Sequence, residues 1–244
     1  RRRIFIVIVK KISCIIPAYN EEKQIASVLD AVLEAKQKIP MEIIVIDDGS
    51  DDRTPSILRK YKDVQVLTNA PNRGKSYSIA RGLEVSKGDY ILMLDSDLIG
   101  LTASDILALL QPIKDGIADV TMSVRRNSFA HMRLMKLDFI TGERAFPRDL
   151  IIDRVESIKN LRRFGLELYL NDLIIKHKYR VKTIYWKNVS HTMKRKKRGF
   201  YPSLKADTKM MRDMLSTVSI SGIARQHVAL MKSLRKGSSN GNDK

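Results

Sequence analysis

The sequence has almost no cysteine, no long apolar run and no internal repeat. A single cysteine in 244 residues, Cys14, excludes an internal disulfide framework and a cysteine zinc cluster. The longest apolar run near the start, residues 4–9, has six residues. That is far short of the roughly 20 needed to span a bilayer, so no transmembrane helix is expected. Wholesale disorder is excluded too, because 43% hydrophobic residues supply a core. The length fits one large domain, or a domain with a tail. The first residue is Arg1 rather than Met, as in a fragment.

Surplus charge is missing from one half only. Residues 1–122 hold 17 Lys+Arg and 17 Asp+Glu, a balance of zero. Residues 123–244 hold 28 and 10, which is the entire net charge of +18. This asymmetry implies a division of labour, with the second half facing something anionic: a phosphate, a phospholipid surface or nucleic acid. A solubilising surface would carry the same charge, since charge alone names no partner.

Apolar runs at residues 12–16, 43–46, 64–67 and 90–94 read as buried strands. Helical spacing is present at 21–36, 54–61 and 76–85, with Asn20 placed to cap the first. Strands alternating with helices predict a mostly parallel central sheet flanked by helices, an α/β fold. Ligands of such sheets bind at the carboxyl ends of the strands. Polar clusters fall there: residues 17–22, 47–52 and 95–97. The second half is less regular. Helices are expected at 104–110, 128–139 and 165–177, and strands at 119–122 and 179–186. Residues 203–236 fit two helices broken near 219–222, and 237–244 read as a frayed tail.

Asp95-Ser96-Asp97 follows a strand directly. Two carboxylates at i and i+2 can converge on a hard divalent cation, with phosphates and water completing the shell. A solvated turn would have the same composition, so the triplet gains meaning from its company. Upstream stand Pro17-Ala18-Tyr19-Asn20-Glu21-Glu22, then Asp47-Asp48-Gly49-Ser50-Asp51-Asp52, then Asn72-Arg73-Gly74-Lys75. In order and spacing the set resembles the family 2 glycosyltransferases of the GT-A fold, with a flavour of the polyprenyl- and dolichyl-phosphate sugar transferases. The resemblance covers residues 12–98 closely. It is looser from 140 to 198, where Thr141-Gly142-Glu143-Arg144-Ala145-Phe146 is similar to the family's acceptor-side segment.

The resemblance implies a nucleotide diphosphate sugar, UDP- or GDP-linked, as donor, and Mg²⁺ or Mn²⁺ as cofactor. Pro17, Ala18, Tyr19, Glu21 and Asp48 would hold base and ribose. The chemistry agrees, since a Tyr ring packs on a base and a carboxylate accepts from an N–H or a hydroxyl. Asp47 could equally cap its turn. Arg73 and Lys75 would reach the diphosphate, Asp95 and Ser96 would sit at the donor ribose or sugar, and Asp97 would bind the metal. Relatives often carry a metal-binding Gln two residues after the second Asp; here that position is Ile99, so His191 is the candidate replacement ligand. His131, His177 and His227 lie on expected helices. If the acceptor is a hydroxyl, a base is required. Glu167 is the nearest match to the family's acidic doublet, and Glu143 is the second candidate. Leu168 stands where the doublet's second acid would be, which favours an acceptor that is already anionic.

Five consecutive cations, Lys194-Arg195-Lys196-Lys197-Arg198, could close over the diphosphate, rest on anionic lipid or stay solvated. Within this fold a nucleic-acid patch is the least favoured reading. The expected organisation is a glycosyltransferase domain over 10–200, a basic helical extension over 201–236 and a disordered tail over 237–244. The expected activity is hexose transfer to a polyprenyl phosphate or another membrane lipid. The enzyme would lie in the cytoplasm, peripherally on the inner face of the membrane. Two alternatives stand beside it: a soluble enzyme acting on a small phosphorylated acid, and a non-catalytic module binding polyanions.

Overall fold

A computed structural model describes residues 10–126, 128, 138, 140–161, 165–191, 225, 226, 228–231 and 233. Strand β1 (Ile12–Ala18) leads to α1 (Ile25–Lys36), β2 (Met41–Asp47), α2 (Thr54–Leu58), β3 (Gln65–Thr68), α3 (Lys75–Val85) and β4 (Tyr90–Met93). These strands pair in parallel in the order β3-β2-β1-β4. The chain continues through β5 (Leu98–Ile99), α4 (Ala103–Lys114), β6 (Val120–Arg125) and β7 (Arg144–Pro147). Two 3₁₀ turns then precede α5 (Val155–Lys159), α6 (Gly165–Lys176), β8 (Val181–Trp186) and β9 (Ser190–His191). The full sheet runs β3-β2-β1-β4-β7-β6-β8, with β7 antiparallel to both neighbours and β8 parallel to β6.

Successive strand residues face opposite sides of a sheet. Cys14, Ile16, Ile43, Val45 and Leu92 therefore pack beneath α1 and α4, whereas Ile15, Ile44, Ile46, Ile91 and Met93 meet α3, α5 and α6. Coverage of both faces is why these strands read as unbroken apolar runs rather than alternating ones. At the start of α4, Thr102 and Asp105 form a reciprocal capping box that satisfies two otherwise orphaned donors.

Four expectations change. Asn20 does not cap α1, which begins at Ile25 with Gln24 before it. Instead Asn20 takes a left-handed φ of 56° and exchanges hydrogen bonds with Asp51, locking the β1 loop to the β2 loop. Strand β7 was not expected, because its first residue is a fully buried Arg144 that breaks the apolar pattern. Its guanidinium donates to the Thr141 carbonyl and to Asn171 Oδ1, contacts only the folded chain provides. Strands β5 and β9 have two residues each, too few to carry a period. Finally, the helical residues found within the expected 201–236 extension are not separate from the core. Leu230 is fully buried in the cluster containing α6, and Gln226 donates to the Leu168 carbonyl and to Asp172. The cation run at 194–198, all of the expected helix over 128–139 except residues 128 and 138, His131, His227 and the tail lie outside the described residues.

Candidate active site

The carboxyl edge of the parallel strands opens into a cleft of about 230 Å³. Pro17, Ala18, Tyr19, Glu21, Asp48, Lys75, Ser78, Asp95, Ser96 and Asp97 line it, so eight residues expected at the donor, and the expected metal-binding Asp97, meet in one place. The β1–β2 ladder explains part of this convergence. Ala18 pairs with Asp47, and Asp48 extends the ladder by donating its N–H to the Ala18 carbonyl at 2.8 Å. Tyr19 stays 41% exposed at the rim, leaving its ring free to cover a planar group.

Asp47 and Asp48 divide two tasks. Asp47 caps its own turn, accepting from the Ser50 N–H at 3.0 Å. Asp48 accepts from Asn69 Nδ2 at 2.7 Å, from the Arg73 N–H at 3.0 Å and from the Gly74 N–H at 2.7 Å. Besides lining the cleft, it holds the loop that delivers Lys75. Gly74, with φ 92°, occupies a conformation that a side chain would strain. Arg73 is not among the residues lining the cleft. Its guanidinium stacks on the Tyr77 ring, 4.1 Å from the centroid.

Lys75, the first residue of α3, also departs from the simple expectation. Its Nζ lies 2.7 Å from Asp95 Oδ1 and 3.0 Å from Glu167 Oε1. Burial opposes its charge, but the two carboxylates outweigh burial and raise its pKa. Burial likewise opposes ionisation of Asp95, yet Lys75 and then Arg125 hold its pKa down to about 2. Asp97 moves the other way, pushed up by burial and then by the Asp95 charge. Both expected bases are internal. Glu143 is fully buried, its Oε1 2.8 Å from Arg125 and its Oε2 accepting from the Ser123 and Thr141 hydroxyls. Burial raises its pKa. Glu167, in the first turn of α6, is 3% exposed and held by Lys75.

His191 comes to the acidic triplet through the small sheet. Leu98, the residue after Asp97, pairs with His191 in the antiparallel β5–β9 ladder. Ile99 is 42% exposed. Burial and then the Arg125 charge lower the His191 pKa, which favours the neutral imidazole that metals bind. His177 lies just past α6, stacked on Tyr179. Among the described residues no three His, Cys, Asp or Glu side chains form a ready-made metal centre. The donor set nevertheless fits a divalent cation that brings phosphate oxygens and water as its other ligands. Charge agrees with this. Five acidic side chains, Asp95, Asp97, Asp138, Glu143 and Glu167, outnumber three basic ones, Lys75, Arg125 and Arg144, in the mutually interacting cluster.

Sequence reasoning missed Arg125, Arg144, Ser78 and the space requirement at Gly142. An arginine ending a strand carries no local signal of burial. Arg125 becomes visible as a site residue only when β6 and β7 bring it 2.8 Å from Glu143 and 3.9 Å from Asp95.

The family model for Glycosyl transferase family 2 matches residues 13–172. The dolichyl-phosphate beta-glucosyltransferase of Homo sapiens is 40% identical over 101 residues, 36% of this chain and 31% of its own. That of Dictyostelium discoideum is 29% identical over 182 residues, 68% of this chain and 50% of its own. The undecaprenyl-phosphate 4-deoxy-4-formamido-L-arabinose transferase of Pectobacterium atrosepticum is 35% identical over 127 residues, 49% and 38% of the two chains. The chain thus spans half or less of the length of these curated relatives. Among solved structures, glucosyl-3-phosphoglycerate synthase from Mycobacterium tuberculosis, in complex with Mn²⁺, UDP-glucose and phosphoglyceric acid, superposes with a TM-score of 0.65. Identity there is 22%, over 86% of this chain and 78% of that one, a likeness of fold. With the sheet topology, the edge cleft and the family match in agreement, the fold is the GT-A fold and the chain belongs to glycosyl transferase family 2.

Proposed function

We propose that the chain transfers a hexose from a nucleoside-diphosphate sugar, UDP-linked, to the phosphate of a polyprenyl lipid. The C1–O bond to the diphosphate breaks, a C1–O bond to an acceptor phosphate oxygen forms, and the nucleoside diphosphate leaves as an anion. In this reading Tyr19 covers the base, Asp48 fixes the loop beneath the diphosphate and Asp95 faces the hexose. Asp97 and His191 hold Mn²⁺ or Mg²⁺. When bound, that cation supplies the positive charge that offsets the leaving diphosphate.

One observation carries the choice of acceptor. Glu143 and Glu167, the two carboxylates expected to act as base, are buried and committed to Arg125 and Lys75. A hydroxyl acceptor needs a base within hydrogen-bond reach, whereas a phosphate arrives already ionised. The lipid-phosphate acceptors named for the human, Dictyostelium and Pectobacterium relatives point the same way. The surplus of cations in the second half suits docking on an anionic membrane surface.

The test is transfer of labelled glucose from UDP-glucose, with Mn²⁺, to polyprenyl phosphate in detergent or to 3-phosphoglycerate in buffer. Label in the lipid fraction is the expected result. Label only in the water-soluble product would move the assignment to a small phosphorylated acid. Label in neither, with donor binding intact, would remove the phosphate acceptor.

A further inference from the structure

We propose that Lys75, anchored by Glu167 and backed by Gly142, is a positioning residue that fixes the Asp95 carboxylate at the donor hexose, and that Glu167 is not the proton acceptor. The inference rests on the proposed donor chemistry and adds to it a mechanical part. Four separate segments meet at one ammonium: the start of α3 with Lys75, the β4–β5 loop with Asp95, the segment before β7 with Gly142, and the first turn of α6 with Glu167.

Two independent observations support it. The first is the pair of short contacts, 2.7 Å from Lys75 Nζ to Asp95 and 3.0 Å to Glu167. Lys75 and Asp95 line the cleft, whereas Glu167 lies behind Lys75 and is not among the lining residues. Among the described residues its second oxygen is buried and makes no hydrogen bond. A base must touch the group it deprotonates, whereas an anchor need only touch Lys75.

The second observation is Gly142. Its φ is outside the left-handed region, so backbone conformation does not demand glycine there. Space does. A Cβ at this position would lie 2.6 Å from both Asp95 carboxylate oxygens and 2.6 Å from Lys75 Nζ. The backbone of residue 142 thus forms the wall against which the ion pair is seated. Alanine would displace the ends of two side chains, the atoms nearest its Cβ, without changing any charge.

The experiment compares affinity for UDP and for UDP-glucose by calorimetry with Mn²⁺, alongside kcat, in the wild type and in Glu167→Gln, Glu167→Ala and Gly142→Ala. Glutamine keeps an oxygen acceptor for Lys75 and removes any base. A positioning role predicts that Glu167→Gln stays within about fivefold of wild-type kcat. Glu167→Ala and Gly142→Ala should lose about 10–100-fold in kcat, the scale of an ångström-size misplacement. They should also lose the affinity contributed by the glucosyl group while UDP affinity is unchanged. Equal loss in Glu167→Gln and Glu167→Ala, with the affinities intact, would make Glu167 the base and overturn the proposal. Wild-type affinity and kcat in Gly142→Ala would overturn it as well. If Gly142→Ala failed to fold in thermal melts, the Gln/Ala comparison at 167 would still decide. A wild type that binds UDP-glucose but glucosylates no lipid phosphate would sink the acceptor assignment alone, and the affinity ratios would still decide the positioning role. A wild type that binds neither nucleotide would end both.

Discussion

Residues 12–98 and residues 119–191 share one sheet but are built on different terms. The first region holds 11 Lys+Arg against 14 Asp+Glu, its strands are parallel and its core is mostly aliphatic on both faces. Its polar groups gather at the strand ends, where they line a cleft. The second region inserts an antiparallel strand, buries Glu143, Arg144 and Glu167, and belongs to the half with all the surplus charge. Interior charges demand specific partners, because each loses its hydration on burial. In the proposed function the first region is the nucleotide platform. The second is a set of matched contacts, to which the proposed function gives the holding of reacting groups and the anionic acceptor.

The largest expected effect lies in the first region. Asp97→Ala should lower turnover about 10²–10³-fold, the loss seen when one charge-stabilising group is removed from a site. The fold should survive, as Asp97 lies in the β4–β5 loop, half-buried at the cleft. Initial rates at limiting Mn²⁺ together with a thermal melt would check both halves of this statement.

Next in size is the interior of the second region. Arg144→Met keeps most of the volume but removes both guanidinium hydrogen bonds to the buried Thr141 carbonyl, just before β7, and the one to Asn171 Oδ1 in α6. An unmet buried acceptor costs about 1–3 kcal/mol. Urea unfolding should therefore show a loss of about 3 kcal/mol. A change well under 1 kcal/mol would mean that the second region does not depend on matched contacts.

His191→Ala tests the link between the regions, since β9 brings a residue from the end of the second to the acidic triplet of the first. Manganese affinity should fall about 10–100-fold, the range for losing a supporting metal interaction. Unchanged affinity in a metal titration would leave Asp97 without this partner.

The smallest effect is expected for single members of the cation run. Lys196→Ser should weaken binding to anionic vesicles about fivefold, from about 1 kcal/mol per cation at the surface. The loss should shrink in high salt, as the Debye length falls from about 10 Å at 0.1 M to about 3 Å at 1 M. UDP affinity should be untouched. A fall in UDP affinity without a change in vesicle binding would turn the run into a diphosphate lid.

Legibility from sequence follows the same division. Residues 12–16, 43–46 and 90–94 announce strands because a doubly covered parallel strand must be apolar along its whole length. The turns after them carry Asp48, Asp95 and Asp97, whose position at the sheet edge follows from topology alone. Arg144-Ala145-Phe146-Pro147 announces nothing, since what makes it a strand is its antiparallel pairing with β4 and β6, and the partners of its buried guanidinium are supplied only by the fold. Asn20 illustrates the opposite error. Its residue type suits a helix cap, but Asp51 offers it a partner across the cleft rim, 31 positions away. Lys75 and Glu167 each stand in a motif of the sequence, yet their contact, 92 positions apart, is visible only in three dimensions.

The central claim is that the first region binds a nucleoside diphosphate through a divalent cation held at Asp97. Calorimetric titration of UDP into the wild-type chain, once with Mn²⁺ and once with chelator, tests it most directly. Saturable binding with Mn²⁺ that weakens at least tenfold in chelator is the predicted result, because the diphosphate then meets Asp95 and Asp97 without a cation between them. Equal affinity in the two titrations would contradict the account.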